Sequence, residues 1–253
     1  MNKHREPNFL KIHYYSIKNL FPIRDSKKEE KLNDLKEMKN YYSQKIGEKT
    51  GIFLENIEIK FLDDYLKDLA YDSVIEELKI IDKKNLSLNK KLIKSFGVIN
   101  SLPSNYVALK ILEPFIYFSM DAAYLPKSNK IIFNDNYFSR IGEDMGIKKD
   151  ETMMHELSHA LWENINPNDN STEENYFYWS EGFAVYGEKN YFSELLLPDS
   201  TITKITNKKY VKGKKLVDKV IEKYGEKSFL KIPRYWKEYD KEFNQQVPSY
   251  LHQ

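Results

Sequence analysis

The stretch MMHELSHALWE, residues 153–163, constrains this chain more than any other. The 253 residues include five histidines, and two of them, His155 and His159, stand four positions apart with Glu156 directly after the first. Residues at i and i+4 lie on one face of a helix, so a helix here aims both imidazoles at one point. Two such imidazoles suit a metal ion, and the adjacent glutamate suits handling the proton of a water. The surrounding residues favour a helix. In KKDETMMHELSHALWENI (148–165), Asp150 and Glu151 fall in the first turn, where the helix dipole favours acidic groups. Met153, Leu157, Ala160 and Leu161 form its apolar face.

The chain has no cysteine, so any metal must be held by histidine and carboxylate, and there is no disulfide framework. A hydrolytic zinc site takes three protein ligands and keeps a fourth position for water. Two histidines therefore call for a third donor downstream. YWSEGFAVYGEKNY (178–191) offers Glu181, on a helix that a loop can fold back antiparallel to the first. Gly182 and Ala184 are small enough to let two helices approach closely. His155, His159 and Glu181 are thus the expected ligands of one Zn²⁺ per chain, with Glu156 as general base.

Before these motifs, KKEEKLNDLKEMKNYYSQKI (27–46) reads as a charged helix ended by Gly47 or Gly51. Residues 1–50 are expected to form an N-terminal helical extension and 51–253 the principal domain. Ile57, Ile59 and Phe61 alternate as in a half-buried strand. Residues 63–100 read as two or three helices, KNLSLNKKLIKSFGVINS being the clearest. YLPKSNKIIFNDN (124–136) reads as a turn and a short strand, Lys130–Phe133. A polar loop at 166–175 precedes helices at about 174–195, 209–224 and 226–240. Strands first and helices after suggest an α+β fold.

In this setting the chain resembles the gluzincins, zinc peptidases with an HExxH helix and a glutamate ligand on the next helix. The closer resemblance is to the catalytic domain of the aminopeptidase-N family, whose third ligand stands in an E-G-F-A context, here Glu181-Gly182-Phe183-Ala184. That family also carries Y-x-K-G at the start of a later helix, matched by Tyr210, Lys212 and Gly213. The resemblance spans residues 117–232 and implies a zincin-like, thermolysin-like fold: a small mixed sheet on the HExxH helix, then a helical subdomain. It implies a zinc-dependent metallopeptidase acting on peptide or protein substrates, with Tyr210 donating to the oxyanion; packed with its hydroxyl near the surface is the ordinary alternative for this tyrosine. The sequence departs from the family at Trp179, two residues before Glu181 where the family has it three before, and in a shorter Glu-to-Tyr spacing. The family's G-x-M-E-N segment is not intact, and Met120 and Asp121 lie about where it should be. Without its glutamate to stop the substrate's free amine, cleavage within peptides is expected along the Lys130–Phe133 edge, a strict aminopeptidase being the alternative.

The remaining readings bound the function. Forty basic against 38 acidic residues leave a net charge of +2, with no footprint for nucleic acid. No membrane span is expected, because Lys110, Glu113 and Asp121 interrupt the most apolar stretch, 108–125. The N-terminus shows no apolar signal core, so a cytoplasmic protein is expected. Glu173, Glu174 and Glu188 are expected on solvated faces, unless one orients a ligand histidine. His4, His13 and His252 are expected to be exposed. A metal-stabilised, non-catalytic binding protein is the rival from another class, and an intact Glu156 argues against it.

Overall fold

The computed structural model describes residues 26–84, 94, 122–134, 149–167, 173–196 and 208–243. The charged N-terminal stretch forms a helix, α1 (Ser26–Thr50). It runs through Gly47, where a Cβ would lie 2.4 Å from the Phe53 ring, and stops at Gly51, whose φ of +74° suits glycine. The expected alternation at Ile57, Ile59 and Phe61 is present: all three are buried, and Glu58 between them is exposed. They lie on or beside strand β1 (Glu58–Phe61), which leads directly into α2 (Leu62–Lys83). Of the helix expected over KNLSLNKKLIKSFGVINS, only Lys84 and Lys94 are among the described residues. Met120, Asp121, His4, His13 and His252 lie outside them as well.

The chain divides into two compact units, one of Met1–Leu32 and Lys60–Met120, the other of Asn33–Ile59 and Asp121–Gln253. In the first, α2 buries Leu62, Leu66, Ala70, Val74 and Leu78, a stripe at four-residue spacing. Lys28 donates to Asp64 at 2.9 Å in the same unit.

The second unit holds strands β2 (Ala122–Leu125) and β3 (Lys130–Phe133), joined through a 3-10 turn at Pro126–Ser128 and a left-handed Asn129. They pair antiparallel with Ala122 opposite Phe133 and Leu125 opposite Lys130. The sheet order is β1-β3-β2. This corrects one expectation. Among the described residues Lys130–Phe133 is the central strand, with Ile131, Ile132 and Phe133 buried, and Ala122–Leu125 is one of the two edges, β1 being the other.

Helix α3 (Lys149–Ile165) carries the two histidines, and its buried side includes Met153, Met154, Leu157, Ala160, Leu161 and Trp162. Next comes α4 (Glu174–Tyr186), then a π-helical turn, Gly187–Tyr191, where one continuous helix was expected. Phe192 N–H reaches back five residues to the Gly187 carbonyl at 2.8 Å. Helix α5 (Lys208–Tyr224) and, after a 3-10 segment, α6 (Ile232–Phe243) close the unit. Aromatic rings fill the space between these helices: Phe183 stacks on Phe229 at 4.1 Å, and Trp162 meets Phe183 edge-on. A small sheet among a majority of helices is an α+β arrangement. Among the described residues no helix is long and apolar enough to cross a membrane.

Candidate metal centre

Helix α3 does what its spacing predicts. His155 and His159 project from one face with ring centroids 5.0 Å apart, and Glu181 comes to them from α4. One nitrogen of each ring and one oxygen of Glu181 all lie within 4.8 Å of one another. Glu181 Oε2 is 3.4 Å from His155 Nε2 and 3.6 Å from His159 Nε2. Ligands about 2.0–2.2 Å from a tetrahedral ion stand ~3.3–3.6 Å apart, so these two separations fit zinc. Among the described residues buried Glu181 Oε2 has no well-formed hydrogen bond, its nearest partners being these two imidazole nitrogens, and a cation between them would satisfy it better. The donor set, two imidazoles and a carboxylate, is chemically suited to that ion.

Electrostatics around the three groups are strongly coupled. Burial disfavours charge on His155, but contacts with Glu181 and Glu188 and the charge of Glu156 outweigh it, holding its pKa well above the ordinary histidine value. Burial opposes ionisation of Glu181 too, and the neighbouring His159 and His155 more than offset it, so its pKa falls below the usual carboxylate range.

Glu156 lies beside this cluster and is not part of it. It is 6% exposed, and its Oε2 accepts a hydrogen bond from the Tyr124 backbone N–H of the edge strand at 2.6 Å. Burial raises its pKa, a shift that the two histidines and the Tyr124 N–H moderate. Tyr210, on the first turn of α5, brings its ring to 5.9 Å from that of His155. Lys212 of the same turn sits over the Tyr178 ring at 4.0 Å. The structure thus gathers His155, His159, Glu181, Glu156 and Tyr210 into one region of the second unit.

Two contacts behind the histidines were less visible in the sequence. Ser180 Oγ lies 3.2 Å from His159 Nδ1, and Glu188 Oε2 lies 3.3 Å from His155 Nδ1. Each ring therefore has one nitrogen toward Glu181 and the other toward an orienting group. Glu188 is buried, not solvated, so the second of its two sequence readings matches its position. Glu173 is exposed. Searches of family models, curated proteins and solved structures find no match to this chain.

Proposed function

We propose that the chain is a zinc metallopeptidase of the gluzincin type, with a zincin-like fold, that hydrolyses peptide bonds. The observation that carries this reading is the convergence of His155, His159 and Glu181 on one point, with Glu156 buried alongside but outside the cluster. His155, His159 and Glu181 would hold one Zn²⁺. When bound, the ion supplies Lewis acidity that polarises a scissile carbonyl and acidifies a water.

The chain's own groups do the rest. Glu156 is anchored at Oε2 by the Tyr124 N–H, which leaves Oε1 to take the water proton and deliver it to the leaving amine. The Tyr210 hydroxyl donates to the oxyanion as charge develops there. The edge strand β2 offers backbone groups along which an extended substrate can lie.

A metal-stabilised binding protein is the competing reading. It leaves Glu156, a buried carboxylate that is not a ligand, only its hydrogen bond to the Tyr124 N–H. The deciding experiment measures zinc by elemental analysis and hydrolysis of a mixed peptide library with and without chelator. One zinc per chain and chelator-sensitive cleavage are expected, with zinc lost in His159→Ala/Glu181→Ala. Undiminished zinc in that double variant rules out the ligand set, and a zinc-loaded protein with no hydrolysis favours the binding role.

A further inference from the structure

Behind the metal cluster lies a buried chain of charges. Glu151, His155 and His159 recur at four-residue spacing on one face of α3, so the histidine stripe extends one turn toward the N-terminus with a carboxylate. The π-helical turn after α4 lays Glu188 and Lys189 against this stripe. Glu188 uses its two oxygens for different partners: Oε2 is 3.3 Å from His155 Nδ1, and Oε1 is 2.5 Å from Lys189 Nζ. Lys189 Nζ in turn donates to Glu151 Oε2 at 2.7 Å. Glu151 is 4% exposed, Glu188 7%, and the Lys189 side chain 10%. Charges this far from water persist only in specific pairings, and removing one partner is far costlier than at a surface pair.

We propose that Lys189 and Glu151 are positioning residues of the metal centre, holding Glu188 so that His155 keeps Nδ1 toward Glu188 and Nε2 toward the metal. The proposal rests on the metal reading above. Glu188 alone has a carboxylate that could rotate or turn toward solvent. Lys189 fixes one oxygen, and Glu151 fixes Lys189 from a residue on the same helix as His155. The ring is thus oriented by a closed path that leaves α3 at Glu151 and returns to it at His155. Among the described residues His159 has the Ser180 hydroxyl in the equivalent place, a neutral group where His155 has a carboxylate, so the two histidines are held differently.

A merely structural salt bridge between the π-helical turn and α3 is the simpler reading, and metal affinity distinguishes them. Zinc Kd is measured on the full chain by competition with a chromogenic chelator, and thermal unfolding of the metal-free protein is followed in parallel. Lys189→Met is expected to weaken zinc about 10–100-fold, the usual effect of losing an outer orienting group, and Lys189→Arg to restore most of it. Because Lys189 acts through Glu188, Glu188→Gln/Lys189→Met should bind no more weakly than Glu188→Gln alone. A structural bridge instead lowers Tm without this coupling. Wild-type zinc Kd in Lys189→Met, or additive losses in the double variant, overturns the proposal. Should Lys189→Met fail to fold, Glu151→Met replaces it, since it removes the acceptor from Lys189 and leaves Lys189 paired with Glu188. Weaker zinc, again non-additive with Glu188→Gln, supports the role, and an unchanged Kd overturns it. A wild-type chain that binds no zinc at all removes the metal reading and the proposal together, an outcome distinct from either of these.

Discussion

Gly182 and Gly213 meet backbone to backbone. A Cβ on Gly182 would lie 2.3 Å from the Gly213 carbonyl carbon, and one on Gly213 would lie 2.2 Å from the Tyr178 carbonyl oxygen. Gly182 follows Glu181, and Gly213 is three residues from Tyr210, so this contact sets how near α5 comes to the His155, His159 and Glu181 cluster. Neither obstruction is a flexible side-chain tip, so a methyl group forces the helices apart. Gly213→Ala should destabilise the fold by about 1–3 kcal/mol, the range for overpacking. It should also lower turnover more than zinc content, because Tyr210 moves while the ligands stay on α3 and α4. Denaturant unfolding, zinc analysis and a peptide assay together check this, and unaltered kcat would dissociate the contact from the site.

Glu156→Gln separates binding from chemistry. Glutamine keeps the size of the side chain and can still accept from the Tyr124 N–H through its amide oxygen, but it cannot carry the proton. Zinc content should stay at the wild-type level and hydrolysis should fall to near background. Wild-type turnover in this variant would assign the base to another carboxylate.

For Tyr210→Phe the expected change is in kcat, with zinc content unaltered. A phenol that donates to the oxyanion stabilises the transition state more than the ground state. Loss of one such donor costs on the order of 100–1,000-fold in rate. A normal kcat would leave the tyrosine with a packing role against His155.

Substrate choice follows from the edge strand. Backbone pairing along β2 does not depend on a free amine, so matched peptides with free and acetylated N-termini should be cut at comparable rates. Strong preference for the free amine, abolished by Asp121→Ala, would make the proposed peptidase an aminopeptidase.

The legible parts of the molecule are those where one local signal suffices. His155 and His159 announced their own helix because four-residue spacing, acidic first turn and apolar face all agree over Lys149–Ile165. Alternation marked β1, and Pro126 with Asn129 marked the turn before β3. Ala122–Leu125 gave no such signal: all four residues are half-buried, so there is no two-residue alternation to read, and its edge position depends on pairing with β3. The π-helical turn was equally hidden. GEKNY continues a helical pattern, and the close approach of Gly187 to Ser158, where a Cβ would lie 2.6 Å from the hydroxyl oxygen, is a tertiary contact that no local signal announces. Glu188 was expected on a solvated face unless it oriented a histidine, because charged residues usually face water, and only the fold turns it toward α3.

The Tyr124 donor to Glu156 belongs to the main chain, and this gives position 124 an unusual mutational signature. Nineteen amino acids supply the same N–H, so the tether is inherited whatever side chain evolution or a library installs there. Proline alone withdraws it, at an edge strand where a proline ring is otherwise accommodated. With Glu156 as the proposed base, a saturation scan at this codon should set proline apart, which acts through the main chain, from substitutions that lose only the Tyr124 hydroxyl bond to Asn129.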